Sequence, residues 1–418
     1  MTKKIYHLAP NGSSNSSAAW RILRAQQLNG IEAQQLVFKY PKLDGVFPYT
    51  SSRISSLIYF MVSKTNSILV RLLYKNRNSL PWSLNTIKPP GFSPKILSQM
   101  SLLNIHWLPS TFRRMKSEAR DVPIILTSHD VWNLTGGCHC NLGCEGWKKG
   151  CTNCPQVTSR VPFLQTPAKS FKTKAQLYKS ISKLGIVAPS RWIADMFTQS
   201  PMFENRQIEI IPNPGNTSIY RITDDYLSLL RIETRRQTYR VLYVVSGNLS
   251  AYHKGFDLLI EMLKILGSGI ETDFEIIIVG DARNEQMEIN GISITYYGEV
   301  HNEEEMSSLM NVANLVISTS RQDNLPNSLI ESILCGTPVL AFNIGGISEI
   351  VINEYNGILI EPFDLISFSN AFKGLIEGTT KLEHTREKIA SSARELYSES
   401  AIASKYAKFY ETMKDEMQ

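Results

Sequence analysis

Two carboxylates lie on either side of a short loop in the second half of the chain. Asp323 and Glu331 are separated by seven residues, and the residues after the loop predict a helix over about 328–334. The first turn of such a helix has unpaired N–H groups and the positive end of the helix dipole, which suit a diphosphate or sugar hydroxyls. A carboxylate inside those turns can accept both hydroxyls of a ribose. The simpler interpretation is a surface helix with two solvated acids.

Two other polar residues follow predicted strands. Lys254 lies in the segment GNLSAYHKG, residues 247–255, between a predicted strand and a helix that begins near Phe256. His129 follows the strand that ends near Leu126, in the segment LTSHDVWNLTGG. Taken alone, Lys254 would be a solvated charge and His129 a structural histidine that closes its strand.

Short apolar runs alternate with helical patterns through both halves of the chain. A strand at 4–8, a small-residue loop and a helix at about 18–28 open the first half, and further strands are expected at 105–108, 124–126 and 185–187. In the second half we expect strands at 241–245, 275–279, 292–297, 315–318, 338–342 and 357–360. This alternation predicts an α/β fold with parallel, doubly wound sheets, in which ligands bind beyond the carboxyl ends of the strands.

The length of 418 residues favours two domains with separate cores. We place the first at 1–215, with a cysteine-rich insertion at 138–154, and the second at 216–396.

The acidic segment STSRQDNLPNSLIESILCGTPVLAFNIGGISEIV, residues 318–351, resembles the signature of the family-4 retaining glycosyltransferases. The motif D-N-L-P-N resembles the corresponding motif of one subgroup of this family. That subgroup, of the colanic-acid type, is involved in capsule and exopolysaccharide synthesis. The resemblance implies the GT-B fold, in which two Rossmann-like domains face each other across a cleft. It also implies that residues 397–418 form a terminal helix that crosses back to the first domain. It makes Glu331 the ribose ligand, and it places Asp323, where most members have Glu, with Asn324 and Leu325 in the donor-sugar loop.

The same resemblance assigns roles to residues elsewhere in the chain. Lys254 matches one of two cations that stabilise the leaving diphosphate, whereas Asn248 stands where the other, an Arg, is common. Arg321 is a candidate replacement. His129 matches a histidine near the reacting sugar, and Gly12 lies in the small-residue first loop, whose backbone N–H groups approach the diphosphate.

Five of the six cysteines fall within seventeen residues. This density in a cytosolic protein suggests metal ligation more than disulfides, and we predict a structural zinc held by cysteines of this cluster. The candidate ligands are Cys138, Cys144, Cys151 and Cys154. The resembled subgroup carries a similar insertion, which implies a role in shaping the acceptor side.

Residues 45–117 contain no Asp or Glu, although the net charge of the chain is only +6. Their basic and aromatic residues could rest on anionic lipid headgroups or could simply form a solvated basic surface. No nucleic-acid-binding signature accompanies them. The first residues are too polar for a signal peptide, and no run approaches the roughly 20 apolar residues of a membrane span, so we expect a cytoplasmic protein, either free or peripheral at the inner face of the plasma membrane.

The resemblance therefore predicts a retaining, metal-independent transfer of a sugar from a UDP- or GDP-linked donor to a lipid-linked or polysaccharide acceptor. The pathway implied is surface polysaccharide synthesis, whether lipopolysaccharide, capsule or exopolysaccharide. Two alternatives stay open. A sugar-nucleotide 2-epimerase shares the architecture, and a non-catalytic, nucleotide-sugar-binding partner of another transferase would also fit the departures at Asn248 and Asp323.

Overall fold

The computed structural model describes residues 4–9, 17–37, 46–48, 61, 68, 72, 74–76, 80–83, 94–106, 122–160, 166–224, 229–230, 238–245, 248–267, 270–283 and 285–415. The chain divides into two compact units. The first comprises Met1–Asn213 with Ile402–Gln418, and the second comprises Pro214–Ala401. The boundaries drawn from the sequence, at 215–216 and 396–397, lie close to these changes.

In the first unit, the described residues form a central sheet of seven parallel strands in the order β3-β2-β1-β5-β6-β8-β9. The strands of this unit are β1 (Lys4–Leu8), β2 (Ala33–Val37), β3 (Val46–Pro48), β4 (Tyr74–Asn76), β5 (Met100–Ile105), β6 (Ile124–Thr127), β7 (Val157–Ser159), β8 (Leu184–Ala188) and β9 (Gln207–Ile210). β4 and β7 form a separate antiparallel pair. The helices are α1 (Ala18–Leu28), α2 (Pro94–Gln99), α3 (Thr166–Lys179) and α4 (Arg191–Thr198).

Local signals explain where two of these helices begin. The hydroxyl of Ser17 accepts a hydrogen bond from the Trp20 N–H at 3.3 Å, and that of Ser190 accepts from the Ile193 N–H at 3.3 Å. Each serine therefore satisfies an N–H group that the first helical turn leaves unpaired. The sequence-based assignment of Ser190 as the cap of α4 is confirmed.

The second unit has a seven-stranded sheet of the order β12-β13-β11-β10-β14-β15-β16 within its described residues. Its strands are β10 (Tyr239–Val244), β11 (Phe274–Val279), β12 (Gln286–Ile289), β13 (Ile292–Gly298), β14 (Leu315–Ser318), β15 (Val339–Phe342) and β16 (Gly357–Ile360). The edge strand β12 is antiparallel to β13, and the other pairs are parallel. The helices that follow in the chain are α5 (Phe256–Leu266), α6 (Glu303–Val312), α7 (Asn327–Leu334), α8 (Leu365–Glu377), α9 (Arg386–Tyr397) and α10 (Glu399–Asp415).

Most of the last helix belongs to the first unit. Tyr406, Phe409, Tyr410 and Met413 of α10 are buried in a cluster that also contains residues of α1 and β1. Position 185 in β8 is restricted to glycine, because a Cβ there would lie 2.8 Å from the side chains of Phe409 and Met413. The sheet and α10 thus approach as closely as the backbone allows.

In each sheet, strands that follow one another in the chain are added first toward one edge and then toward the other, so each sheet has one topological switch point. In the first unit this switch lies between β1 and β5, and in the second it lies between β10 and β14. Loops beyond the carboxyl ends of these neighbouring strands are where doubly wound sheets bind ligands. The predicted α/β class with doubly wound, parallel-dominated sheets is confirmed for each unit.

Candidate functional site

The loop after β10 brings Lys254 to the carboxyl edge of the second sheet. Residues Tyr252–Lys254 form a 3₁₀ turn, and Gly255 follows with a positive φ of 69°. A Cβ at position 255 would lie 1.9 Å from the carbonyl oxygen of Thr319. Only glycine fits this contact, which holds the Lys254 turn against the loop that follows β14.

Lys254 and Asp323 form an ion pair at this edge. The Nζ of Lys254 donates to the Oδ2 of Asp323 at 2.7 Å, and the two side chains are 22% and 16% exposed. A pair that is mostly buried but still reached by solvent can exchange partners when a charged ligand arrives. Lys254 can thus turn toward a phosphate, while Asp323 is then available to sugar hydroxyls.

A small cavity of about 20 Å³ lies beside the pair. Its lining includes Lys254, Asp323, Pro326 and Ser328, together with backbone and side chains from the ends of β10 and β14. Pro326 is the cap residue of α7, and its own side chain makes no capping hydrogen bond. The cavity therefore combines a cation, a carboxylate and the start of a helix, a set that suits an anionic ligand with hydroxyl groups.

The backbone at Asp323 is held by the glycines after β15. Gly345 has a positive φ of 56°, and a Cβ there would lie 1.8 Å from the carbonyl oxygen of Asp323. The N–H of Gly346 donates to the same oxygen at 3.3 Å. The pair Gly345-Gly346 thus positions the acidic loop.

The other residues predicted for the acidic loop are buried. Glu331 is the fifth residue of α7 and is 6% exposed, while Asn324 and Leu325 are 7% and 5% exposed. None of the three lines the cavity beside Lys254. Their assignment to the ribose and the donor sugar stays a prediction.

Arg321 is engaged by a neighbouring carboxylate. Its two terminal nitrogens donate to the two carboxylate oxygens of Asp257 at 2.7 and 2.6 Å, and the guanidinium carbon lies 4.0 Å from the centre of the Tyr252 ring. Asp257 raises the pKa of Arg321 by accepting these hydrogen bonds. The guanidinium is therefore already balanced by an acid near the Lys254 turn.

Asn248, predicted for the donor site, does not line the cavity beside Lys254. Asn248 is exposed, and its Oδ1 accepts a hydrogen bond from the Ser250 N–H at 2.8 Å, which stabilises the local turn. Gly12 lies outside the described residues.

In the first unit, His129 ends a row of three histidines at the carboxyl edge of the sheet. Nε2 of His129 lies 2.9 Å from Nδ1 of His106, and Nε2 of His106 lies 2.8 Å from Nδ1 of His7. Burial lowers the pKa of His7 and of His129 to about 4. Near neutral pH these rings are therefore uncharged, so His129 can act as a hydrogen-bond partner and not as a fixed cation.

Comparison with known proteins decides the class. Residues 240–378 match the family model described as glycosyl transferases group 1. This stretch contains Lys254, Asp323, Glu331 and the whole of the cavity lining. The chain carries a glycosyl transferases group 1 domain, and it is a glycosyltransferase.

Similar proteins support the assignment over nearly the whole chain. WcaC of Escherichia coli (strain K12), a glycosyl transferase assigned to colanic acid biosynthesis, is 26% identical over 84% of this chain and 85% of its own. The sucrose-phosphate synthase of Thermosynechococcus elongatus has a TM-score of 0.65 at 14% identity, covering 99% of this chain and 100% of that one. Anabaena Alr3699/HepE, in complex with UDP-glucose, has a TM-score of 0.61 at 16% identity, covering 98% and 99%. These structural likenesses confirm the GT-B fold.

Sequence reasoning missed several residues of the glycosyltransferase that the fold brings to these edges. His7 and His106 contact each other from positions 99 residues apart in the chain. His7 is the penultimate residue of β1 and His106 follows β5, the two strands at the switch point, and this position was the available signal. Tyr243, Ser318 and Ser320 line the cavity of the second unit and were also not predicted.

None of the six cysteines of the glycosyltransferase, all of them within the described residues, forms a disulfide. Cys138, Cys144, Cys151 and Cys154 line one cavity of about 20 Å³ in the first unit. Among the described residues, no three His, Cys, Asp or Glu side chains are grouped closely enough to hold a metal ion. Burial raises the pKa of the Cys151 thiol to about 11, so without a metal it is protonated at neutral pH.

Proposed function

We propose that this glycosyltransferase acts with retention, moving a sugar from a nucleoside diphosphate to a lipid-linked or polysaccharide acceptor in surface polysaccharide synthesis. The observation that carries the proposal is the Lys254–Asp323 pair beside the start of α7, inside the group 1 domain. The relative WcaC is assigned to colanic acid biosynthesis, and Anabaena Alr3699/HepE is in complex with UDP-glucose. A cation and the N-terminal end of a helix suit the diphosphate that such donors share.

Each residue has a distinct task in this proposal. Lys254 stabilises the negative charge that grows on the departing diphosphate, and Asp323 accepts hydrogen bonds from sugar hydroxyls. Glu331 accepts both ribose hydroxyls, and His129 hydrogen-bonds the sugar as positive charge develops on its ring. No divalent metal is needed for this charge balance.

The transfer itself is a front-face displacement. The bond between the anomeric carbon and the phosphate oxygen breaks, and the acceptor oxygen bonds to the same face of that carbon. The proton of the acceptor hydroxyl passes to the departing phosphate, which leaves as the nucleoside diphosphate. Retention follows because the incoming and leaving oxygens share one face.

A two-stage experiment tests the proposal. A thermal-shift screen of UDP, GDP and other nucleoside diphosphates identifies the donor base, since a ligand at 100 times its dissociation constant stabilises by roughly 2.7 kcal/mol. The matching nucleotide sugar is then incubated with and without a lipid acceptor extract, and the anomeric configuration of the product is read by NMR. Acceptor-dependent transfer with retention supports the proposal. Conversion of the nucleotide sugar without acceptor would indicate an epimerase, and binding without any reaction would indicate a non-catalytic partner.

We also propose that residues 45–117 attach the protein to anionic membranes. No helix among the described residues is long and apolar enough to cross a bilayer. Most of this region lies outside the described residues, but Met61, Ile68 and Leu72 are helical and 59%, 55% and 64% exposed. Exposed apolar side chains in an acid-free, basic region suit the headgroup layer.

Flotation with vesicles tests this attachment. Binding to vesicles of anionic lipid should be strong at low salt and should weaken as salt rises. The double substitution Ile68→Ser and Leu72→Ser should weaken it further, whereas Ile366→Ser, at a residue 66% exposed in the second unit, should not. A protein that ignores anionic vesicles at low ionic strength would rule the attachment out.

We further propose that the cysteine cluster holds a structural zinc ion. Four cysteines line one cavity, and a Zn²⁺ ion would need their side chains to turn inward and lose their protons. Elemental analysis of purified protein should find about one zinc per chain. Cys151→Ser should lower this content, and Cys140→Ser, outside the cavity lining, should leave it unchanged. An active, metal-free parent protein would remove the site.

A further inference from the structure

The guanidinium and the backbone of Arg321 both hold the turn that carries Lys254. Nη1 of Arg321 donates to the carbonyl oxygen of Tyr252 at 2.9 Å, and the Arg321 N–H donates to the carbonyl oxygen of His253 at 2.8 Å. The guanidinium also lies over the Tyr252 ring. One residue in the loop after β14 therefore bonds the two successive carbonyls that lead into Lys254.

The next two carbonyls of the turn are bonded by hydroxyl groups. The Tyr243 hydroxyl donates to the Lys254 carbonyl at 2.9 Å, and the Thr319 hydroxyl donates to the Gly255 carbonyl at 2.7 Å. Tyr243 and Thr319 are 2% and 0% exposed. Four successive carbonyls thus accept a hydrogen bond from outside the turn, and this anchored backbone fixes where the Lys254 side chain starts.

Asp257, in the first turn of α5, holds the guanidinium in this arrangement. Both terminal nitrogens of Arg321 donate to its carboxylate, and these hydrogen bonds lower the pKa of Asp257. Arg321 is 12% exposed, whereas Asp257 is 62% exposed. A planar fork that bonds a carboxylate at two points has a fixed orientation, which a lysine in its place would not reproduce.

Arg321 does not line the cavity beside Lys254, although Ser320 and Asp323, on either side of it in the chain, do. Its guanidinium is engaged instead by a carbonyl, a carboxylate and an aromatic face. A diphosphate in the cavity would have to break the bidentate pair in order to reach Arg321. Lys254, in contrast, already lines the cavity.

We propose that Arg321 is a positioning residue that acts through Lys254. Its guanidinium, fixed by Asp257 and Tyr252, holds the turn so that the lysine ammonium meets the departing diphosphate. This inference rests on the role proposed above for Lys254. The alternative, drawn from the resemblance, is that Arg321 is a second cation that contacts the diphosphate itself. Placement matters because a catalytic group displaced by about 1 Å can cost roughly a hundredfold in rate.

The substitution Asp257→Asn separates the two roles, because they predict different changes in binding and turnover. If Arg321 positions Lys254, loss of the carboxylate loosens the turn, so turnover should fall roughly tenfold while affinity for the nucleoside diphosphate changes little. If Arg321 were the second cation, the same substitution would release it toward the phosphates, and affinity would rise without loss of turnover. Calorimetry with the nucleoside diphosphate found in the thermal-shift screen, together with the transfer assay, gives both quantities.

Two further variants of α5 show whether the effect belongs to the carboxylate. Asp257→Glu keeps the carboxylate at an exposed position and should retain most of the turnover. Glu261→Gln, the matched control, removes an exposed acid one turn further along α5 and should transfer sugar like the parent. All three variants should melt near the parent temperature, because exposed charges contribute little to global stability. A loss in Asp257→Glu as large as that in Asp257→Asn would overturn the proposal.

A double-mutant cycle shows whether the effect passes through Lys254. Asp257→Asn should lower turnover in the parent but should have no further effect in Lys254→Ala, since the side chain that it displaces is already gone. Equal losses in both backgrounds would mean that the pair acts independently of Lys254 and would overturn the proposal. If Lys254→Ala transfers sugar like the parent, the role of Lys254 in the proposed function fails, and this inference fails with it. If Lys254→Ala is impaired but Asp257→Asn is not, the proposed function stands and the positioning role alone fails.

Discussion

The two units of this protein share a strand order around the switch point but place opposite chemistry there. The second unit presents an ion pair, Lys254 with Asp323, partly open to solvent beside a cavity. The first presents His7, His106 and His129 as neutral rings, two of them buried. The same topology thus supports one edge built around an ion pair and another built around a row of neutral rings.

The difference follows from the cost of burial. A lone buried charge is expensive, so the charged residues of the second unit lie near solvent and are paired with each other. The histidines of the first unit can be buried because they give up their charge and exchange hydrogen bonds along the row. Pairing and loss of charge are therefore the two ways in which these edges avoid an isolated buried charge.

The substitution with the largest expected effect is Lys254→Ala. If Lys254 stabilises charge that appears as the diphosphate departs, turnover should fall on the order of a hundred- to a thousandfold, as for the loss of one catalytic donor. Nucleotide affinity should fall much less. Lys264→Ala is the matched control, because Lys264 is exposed at the other end of α5. Equal losses in binding and turnover would reduce Lys254 to a general binding residue and weaken the contrast between the units.

The two edges also differ in how far they could be predicted. Lys254, Asp323 and Glu331 lie in short segments whose resemblance to a known signature is local. The histidine row instead depends on sheet register, since Leu8 pairs with Ile105 and Ile105 pairs with Leu126. No local pattern reveals that three strand ends from distant parts of the chain will lie side by side.

One strand of the first unit was also misplaced by the sequence. The apolar run at 105–108 predicted a strand, but β5 spans Met100–Ile105 and ends before His106. The polar residue Asn104 lies inside β5 and interrupts the apolar run by which a buried strand is recognised in the sequence. In the fold its side chain is fully buried, where it accepts from the Thr127 hydroxyl at 2.8 Å and donates to the Tyr410 hydroxyl at 3.0 Å. These partners come from elsewhere in the chain and offset the cost of burying the amide.

The partner of Arg321 likewise needed the structure. The sequence offered Arg321 as a replacement for the cation missing at Asn248, but it could not show that α5 presents Asp257 to both guanidinium nitrogens. The contact joins positions 64 residues apart. The spacing of residues in the sequence identified the positive charge of Arg321 but not the carboxylate of Asp257 that pairs with it.

The next largest effect is expected for Glu331→Gln. This change keeps the shape of the side chain and removes its charge, so charge-assisted bonds to the ribose hydroxyls would weaken by about 1.5–3 kcal/mol. Calorimetry should show nucleotide affinity lowered roughly ten- to a hundredfold. Glu361→Gln, at an exposed position in the same unit, should leave affinity unchanged. If Glu331→Gln binds nucleotide like the parent, the ribose is bound elsewhere.

The smallest expected effect is a difference in acid sensitivity between the two units. Burial lowers the pKa of His7 to about 4, whereas an unfolded histidine titrates near 6.5. Between these values the unfolded state binds a proton that the folded state excludes, so stability is complete above pH 6.5 and is lost as pH falls toward 4. From pH 7 to 5.5, His7 alone should cost the first unit about 1 kcal/mol, or roughly tenfold in its opening equilibrium.

Hydrogen exchange of the strand amides measures this difference, once the intrinsic effect of pH on exchange is removed. Protection in β1 and β5 should fall between pH 7 and 5.5, while β10 and β14 should change less, because the histidine near their edge, His253, is only partly buried. His7→Gln should reduce the pH dependence of β1 without abolishing it, because His7 no longer titrates while the pKa values of His106 and His129 are still lowered by burial. An unchanged slope in His7→Gln, or an equal loss of protection in both sheets, would mean that the row is not what separates the two edges.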